Sequence, residues 1–365
     1  MAEVTVASAP APRANPELFG HESAERELLR LHSLGRLPHA ILLSGPRGIG
    51  KATLAFRLAR FLLAKADSKP ADMFGGAEAE GLAVDPHSGV FHRVASGGHA
   101  DLLTVERAYD PRRRRLRSEI IVEDAREIAG FFRLTAAEEG WRIVIVDGAE
   151  DMNRNAANAL LKILEEPPRR ALLLLVSHNP GRLLPTIRSR CRRLPLTALA
   201  RAAVVRLVEQ YRPELAGAEA DALAELSGGS IGRAIGLADA GGLELYRSVL
   251  ELLSHTPRLD VAALHSLADK FARPDADEAY RAIQELLSTF LVRMITRAAR
   301  GQLADEDLLA GKQEAMQRLW QRADPGRWAA LREELELRFD ETDQLNLDRK
   351  QALMNAFFAI EEAAR

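Results

Sequence analysis

A helix-rich α/β protein built on a parallel sheet is predicted by three observations. Short apolar runs alternate with helical patterns between residues 40 and 195, and a glycine-rich turn joins one such run directly to a helix. Of the 365 residues, 47% are hydrophobic but only 5% aromatic, with abundant Ala, Leu, Arg and Glu, a balance that favours helices over an all-β architecture. Alternating strands and helices require crossover connections. They imply parallel strands covered on both faces, with ligands at the carboxyl ends. A chain of 365 residues suits two or three domains, each with its own core.

The elements follow in order. Residues 1–15, MAEVTVASAPAPRAN, are rich in Ala and Pro and read as a disordered tail. Ala24, Leu28, Leu31 and Leu34 lie at helical spacing and predict an amphipathic helix over 22–34, ending near Gly35. The run Ala40–Ser44 reads as a buried strand that feeds a glycine turn and a helix over 51–64. Periodicity is lost over 65–100, where Gly, Ala, Asp and His collect, so a long irregular insertion is expected. Strands are expected at 102–106 and 120–122, a basic turn at 111–117 and a helix at 123–132. The clearest strand, 142–146, ends at Asp147; a helix over 153–164 follows and is stopped by Pro167 and Pro168. Ala171–Ser177 is the last strand expected. From Thr197 onward, short helices punctuated by Gly228 and Gly229 suggest a small lid over 197–242. Longer amphipathic helices, 279–297 and 350–364 among them, suggest a bundle over 243–365. The α/β domain is then expected over 16–196.

The formal net charge of −2 excludes a chain that is basic overall, so any nucleic-acid contact needs a local patch. A single cysteine, Cys191, forms no internal disulfide and supplies no cysteine pairs for zinc, which fits a reducing cytosol. No apolar run reaches the length of about 18 residues that a membrane span requires. A soluble cytoplasmic protein is expected.

Gly45, Pro46, Arg47, Gly48, Ile49, Gly50 and Lys51 fit the G-x-x-x-x-G-K pattern of a phosphate loop, placed between a strand and a helix N-terminus. Glycines let the backbone wrap phosphate oxygens, successive N–H groups and the helix dipole supply positive potential, and Lys51 reaches the β and γ phosphates. The plain alternative is a glycine-rich turn with a solvated lysine. In a working NTPase the next residue is Ser or Thr, whose hydroxyl ligates magnesium, but here it is Ala52. Thr53 points about 100° further around the helix, where an α phosphate is the most it would touch. Asp147, delivered by its strand, is a carboxylate that could hold magnesium through water. Glu150 reads either as a solvated carboxylate at a helix start or as a poor substitute base.

The run Asn158–Pro168, NALLKILEEPP, resembles a hallmark of bacterial clamp-loader subunits of the AAA+ superfamily, and Thr186–Cys191, TIRSRC, resembles their Ser-Arg-Cys motif. The order and spacing of phosphate loop, acidic strand and these motifs are similar to that family over residues 16–240. The resemblance implies an AAA+ phosphate-loop domain, a helical lid and a C-terminal helical collar. It further implies that Arg190 is supplied in trans to ATP bound by a neighbouring subunit. A planar, permanently charged guanidinium suits that task. The alternative is a surface arginine paired with a nearby carboxylate.

Hydrolytic members carry a glutamate where this chain has Gly148. The segment Gly229–Ala234 resembles the lid motif that presents a sensor arginine, with Gly232 at that position and Arg233 displaced by one. Together with Ala52, these departures imply weak or vestigial ATP binding, with magnesium accompanying any bound nucleotide, and little or no intrinsic hydrolysis. The implied function is to assist ATP-driven loading of a sliding clamp onto primed DNA as a stator that keeps its arginine finger. The implied partners are gamma/tau ATPase and delta subunits in a hetero-pentameric ring, with the clamp and DNA reached through the complex. No polymerase active site is expected. An active motor of the gamma/tau type and a non-replicative nucleotide-binding module remain as alternatives.

Many relatives hold zinc with four cysteines between the phosphate loop and the acidic strand; this chain has none there, and zinc is not expected. His87, His92 and His99 read as solvated loop residues. Arg112–Arg115 with Arg117 form the one dense basic cluster, read as a solvated hairpin turn or an approach to DNA. Leu252, Leu253, Leu286, Leu287, Phe290 and Leu291 read as core or interface.

Overall fold

The computed structural model describes residues 9–67, 81–110, 115–133, 140–273, 276–301 and 312–365. Its contacts divide the chain into two compact units, residues 1–203 with 229–232, and residues 204–228 with 233–365.

The first unit contains helix α1 (Glu22–Ser33), strand β1 (Ala40–Ser44), α2 (Lys51–Asp67), α3 (Gly89–Ala95), β2 (Leu102–Val105) and a two-stranded hairpin of β3 (Tyr109–Asp110) and β4 (Arg115–Leu116). It continues through α4 (Val122–Arg133), β5 (Arg142–Asp147), α5 (Arg154–Glu165), β6 (Ala171–Ser177), the short α6 (Pro185–Arg188) and β7 (Arg192–Pro195). The main sheet has five strands in the order β2-β5-β6-β1-β7. Every pairing within it is parallel.

The central strands bury both faces because each is apolar at consecutive positions rather than alternate ones. Ile41 and Leu43 of β1 face one core with Ile143, Ile145, Leu172 and Leu174, sealed by Leu54, Leu58 and Leu62 of α2. Leu42, Val144, Val146, Leu173 and Leu175 face the other, under Ile128 and Phe132 of α4 and Leu160 and Leu164 of α5. Each large aliphatic side chain in these layers contributes about 1.5–3 kcal/mol of burial.

Chain direction fixes where function can sit. From β1 the connection crosses to the far edge at β2, whereas β6 hands on to β7 on the other side of β1. The carboxyl end of β1 is thus the switch point of the sheet, where a crevice opens for a ligand.

Several expectations need correction. Residues 12–14 form a 3-10 turn, because Arg60 of α2 donates to the carbonyls of Arg13 (2.8 Å) and Asn15 (2.6 Å); of the tail expected to be disordered over 1–15, residues 1–8 lie outside the described ones. The insertion expected to be irregular over 65–100 contains α3, capped by Ser88, whose hydroxyl accepts from the Phe91 N–H; its residues 68–80 lie outside the described ones. His99 is not solvated: it is 4% exposed, and its Nδ1 accepts from the Asp101 N–H. His87 and His92 are exposed, the latter on α3. The strand expected at 120–122 reduces to a single bridge between Ile120 and Met152, because Asp124 accepts from the Ile121 N–H and starts α4 at Val122. Strand β7 was not expected. Its sequence Arg-Arg-Leu-Pro is mostly exposed, and proline is tolerated because the strand is an edge. Of the arginine run 112–115, residues 112–114 lie outside the described ones, whereas Arg115 is on β4, paired with Asp110 of β3.

The second unit is helical: α7 (Arg201–Tyr211, begun in the first unit), α8 (Ala218–Ser227), α9 (Ile231–Asp239), α10 (Gly242–Ser254), α11 (Val261–Asp269), α12 (Asp277–Ala299), α13 (Lys312–Trp320), α14 (Pro325–Leu345) and α15 (Arg349–Ala363). Leu252, Leu253, Leu286, Leu287, Phe290 and Leu291 are all buried, so core packing accounts for them within this chain. Asp324 caps α14 through the Gly326 and Arg327 N–H groups with Pro325 as first helical residue, and Asp348 caps α15 through Gln351.

A charge cluster ties α8 to α12 and α13. Glu225 pairs with Lys312, which is fully buried, and with Arg293 at 3.3 Å and Arg297 at 3.9 Å. Burial alone would raise the Glu225 carboxyl, but Lys312, Arg293 and Arg297 outweigh it and hold the group below its usual range. Among the described residues no helix is long and apolar enough to cross a membrane.

Candidate functional site

The phosphate loop leaves β1 at Ser44 and enters α2 at Lys51. Its glycines adopt backbone angles that side chains resist: φ is 151° at Gly45, 74° at Gly48 and 101° at Gly50. A Cβ at Gly45 would lie 2.2 Å from the Leu196 carbonyl oxygen, so the first glycine is required by space as well as by angle.

Three donors fasten the loop's carbonyls. The Lys51 ammonium, 3% exposed, donates to the oxygens of Gly45 (2.8 Å) and Pro46. His21 Nε2 donates to Ile49 O at 2.6 Å, and the Gly232 N–H donates to Gly48 O at 2.9 Å. Burial lowers the Lys51 pKa to about 8, opposed by the carboxylates of Glu150 and Asp147. Burial also lowers His21, whose bond to Ile49 pulls the other way. His21 is a site residue that sequence reasoning missed, since nothing in its neighbourhood marks a histidine before α1 as a partner of a loop 28 positions later.

The loop fits phosphate better than it fits a metal. Arg47 is exposed beside Pro46, Ile49 is buried beneath the loop, and Thr53 is 7% exposed on α2. Ala52 has no donor atom for a cation. Asp147, half-buried at the end of β5, accepts a backbone hydrogen bond from Gly148; burial first, and then Glu106, pushes its pKa up, while Lys51 pulls it down. Among the described residues no group of three or more His, Cys, Asp or Glu is arranged to hold a metal.

Gly148 and Glu150 have structural explanations. Gly148 sits at φ 76°, in the left-handed region, and a Cβ there would meet Asp151 Oδ2 at 3.0 Å. Glu150 is not a solvated carboxylate at a helix start: its Oε1 accepts from the N–H groups of His178 (2.8 Å) and Asn179 (3.2 Å), clamping the turn after β6. Burial would raise this carboxyl, but its own backbone N–H, the His178 N–H and the His178 ring outweigh it and lower the pKa, so it is a poor proton acceptor. Installing glutamate at 148 is expected to cost about 1–2 kcal/mol from the left-handed backbone alone and to leave ATP turnover by the purified chain unchanged, measured as steady-state phosphate release.

Gly232 leaves no space for a side chain. A Cβ there would lie 3.0 Å from Gly48 Cα. Arg233 turns away to Glu285 at 3.0 Å and to Thr289 on α12.

Arg190 lies one residue before buried Cys191, whose thiol burial pushes up to about 11. Its guanidinium is exposed, with Nη1 donating to Thr186 O at 3.0 Å and Nη2 to Glu165 Oε1 at 2.7 Å. The bland pairing weighed from sequence is therefore present, and Glu165 is its carboxylate.

A phosphate loop at the switch point of a five-stranded parallel sheet, in a chain that continues into a helical unit, defines a phosphate-loop α/β protein. Residues 20–200 match the model of the family described as DNA polymerase III, delta subunit. The chain is 37% identical over 227 residues to DNA polymerase III subunit delta' of Pseudomonas aeruginosa, covering 62% of this chain and 63% of the relative. Subunit delta' of Bacillus subtilis is 33% identical over 48% of this chain and 47% of its own length. Subunit gamma/tau of Mycobacterium tuberculosis is 29% identical over 76% of this chain and 46% of its own length. The chain thus spans less than two thirds of these curated relatives. Among solved structures, a gamma subunit-related protein of Thermotoga maritima aligns over 93% of this chain and 100% of that one, at 20% identity and a TM-score of 0.38.

Proposed function

We propose that this chain is the delta-prime-type subunit of a bacterial clamp loader, a cytoplasmic stator that assists ATP-driven loading of the sliding clamp onto primed DNA. It would assemble with gamma/tau ATPase and delta subunits in a hetero-pentameric ring, the AAA+ domain over 16–196 followed by a lid over 197–242 and a collar over 243–365. Arg190 would be donated to ATP held by a neighbour. The observation that carries the reading is a phosphate loop intact through Lys51 but followed by Ala52, with Gly148 after the acidic Asp147. Such a site can cradle phosphate, yet it has neither the hydroxyl that ligates magnesium nor a group to orient water.

In this chain's own loop, Gly45–Thr53 would hold a nucleotide's phosphates through backbone N–H groups, with Lys51 leaving the Gly45 and Pro46 carbonyls to reach them. A bound nucleotide would supply its own phosphate charge and any magnesium. That exchange of partners, and the Gly48–Gly232 contact, support weak binding.

The motor reading has one observation in its favour, the gamma/tau similarity over 76% of this chain. Steady-state ATP hydrolysis by the purified chain with magnesium, beside Lys51→Ala, separates the two. Turnover no greater than that of Lys51→Ala is expected; Lys51-dependent turnover at ordinary ATPase rates overturns the stator and establishes a motor. The Lys51 pKa of about 8 adds a test: anion binding by the loop is expected to weaken as pH rises from 7 to 9, and to take up protons at pH 8 to 9 when followed calorimetrically in buffers of different ionisation enthalpy.

A further inference from the structure

Glu165 is the last residue of α5, where the negative end of the helix dipole disfavours a carboxylate. Helix stability therefore gives no reason for an acid at this point. Its Oε1 lies 2.7 Å from Arg190 Nη2, while Arg190 Nη1 is held at 3.0 Å by the Thr186 carbonyl. Two acceptors fixed on separate elements thus grip one edge of the guanidinium. A guanidinium has five N–H donors, so the two contacts leave the others for an incoming phosphate.

Both side chains of the pair are substantially exposed, 37% for Arg190 and 51% for Glu165. An exposed pair of this kind is weak, at most about 1 kcal/mol, so it orders the arginine without imprisoning it. A flexible side chain held near its working position loses less freedom when its target arrives.

We propose that Glu165 is the positioning residue of Arg190, pre-aiming the guanidinium toward the phosphates of a nucleotide bound by an adjoining subunit. The inference rests on the reading of Arg190 as a finger acting in trans. It assigns a task to the first glutamate of the Leu-Glu-Glu-Pro-Pro run and makes that run and the Ser-Arg-Cys segment a single device.

The test uses the full chain, alone and in the reconstituted complex. In the complex, Glu165→Ala is expected to lower the Arg190-dependent part of kcat roughly fivefold, the rate equivalent of ~1 kcal/mol. KM for ATP is expected to stay within about twofold. Glu165→Gln, which keeps the acceptor oxygen, is expected to restore most of the rate, and Glu165→Ala is expected to add nothing in an Arg190→Ala background. In the free chain, selective arginine labelling is expected to show slow rotation of the Arg190 guanidinium by NMR, and faster rotation in Glu165→Ala. If Arg190→Ala slows hydrolysis and Glu165→Ala does not, the positioning role alone is overturned. If Arg190→Ala is without effect, the finger reading falls and this inference falls with it. A further loss in the double variant would place the action of Glu165 elsewhere and also overturn it.

Discussion

Arg190→Ala is expected to slow ATP hydrolysis at the one neighbouring site it would serve by about 10³-fold, the lower range for an arginine finger. The guanidinium is exposed and held by Thr186 and Glu165, so on the finger reading its loss would remove transition-state charge stabilisation and little else. Assembly of the complex, followed by size-exclusion chromatography, is expected to persist, because truncating an exposed side chain changes stability by about 0.5 kcal/mol or less. Arg190→Lys is expected to recover only a minor part of the rate: lysine offers a point charge in place of a planar fork. Undiminished DNA- and clamp-stimulated hydrolysis in the alanine complex would sink the assignment.

The second large effect lies far from the phosphates. Glu225→Gln is expected to destabilise the helical unit by about 3 kcal/mol, the lower end for breaking a buried ion pair from one side. Lys312 is fully buried, and Arg293 and Arg297 share the same carboxylate oxygen, so neutralising it leaves three cations crowded together. The Glu225 pKa is depressed in the folded state, so its contribution is present above its unfolded value, about 4.3 for a glutamate, and is lost as pH falls through the folded one. The gap between wild type and variant is therefore expected to be widest near neutrality and to close in acid. Urea unfolding followed by tryptophan fluorescence at pH 7 and pH 4 would read both, and an equal gap at the two values would contradict the charge explanation.

The strands and helices that sequence exposed most clearly are those whose burial is uninterrupted. Ala40–Ser44, Arg142–Asp147 and Ala171–Ser177 are short, mainly apolar runs between polar or glycine-rich segments, and little but a two-faced buried strand suits them. β7 escaped because an edge strand exposes its side chains and Arg192–Pro195 carries no apolar signature. Ile120 escaped in the opposite sense: its residue types favour a strand, but the Asp124 side chain offered the backbone a helix start instead.

The geometry of the candidate site was legible where the backbone or the position demands a residue type, as in the loop glycines and Lys51. It was opaque where a residue matters through a distant partner. His21 meets Ile49 and Glu165 meets Arg190 only after folding, and no periodicity announces either meeting. Glu150 shows the converse, a carboxylate three places from Asp147 whose proximity invites a catalytic reading until its oxygen is found on two backbone amides.

The strand order has a consequence for how the protein is made. β1 pairs with β6 and β7, and roughly 130 residues separate Ala40 from its partner Leu173. At about 5–20 residues per second, a ribosome takes on the order of ten seconds to cover that distance. Throughout that interval Ala-Ile-Leu-Leu-Ser has been synthesised with both hydrogen-bonding edges open and neither neighbour in existence. The strand that carries the phosphate loop is thus the stretch of the nascent chain with the longest wait for its sheet partners, and the one for which early capture by a chaperone would matter most.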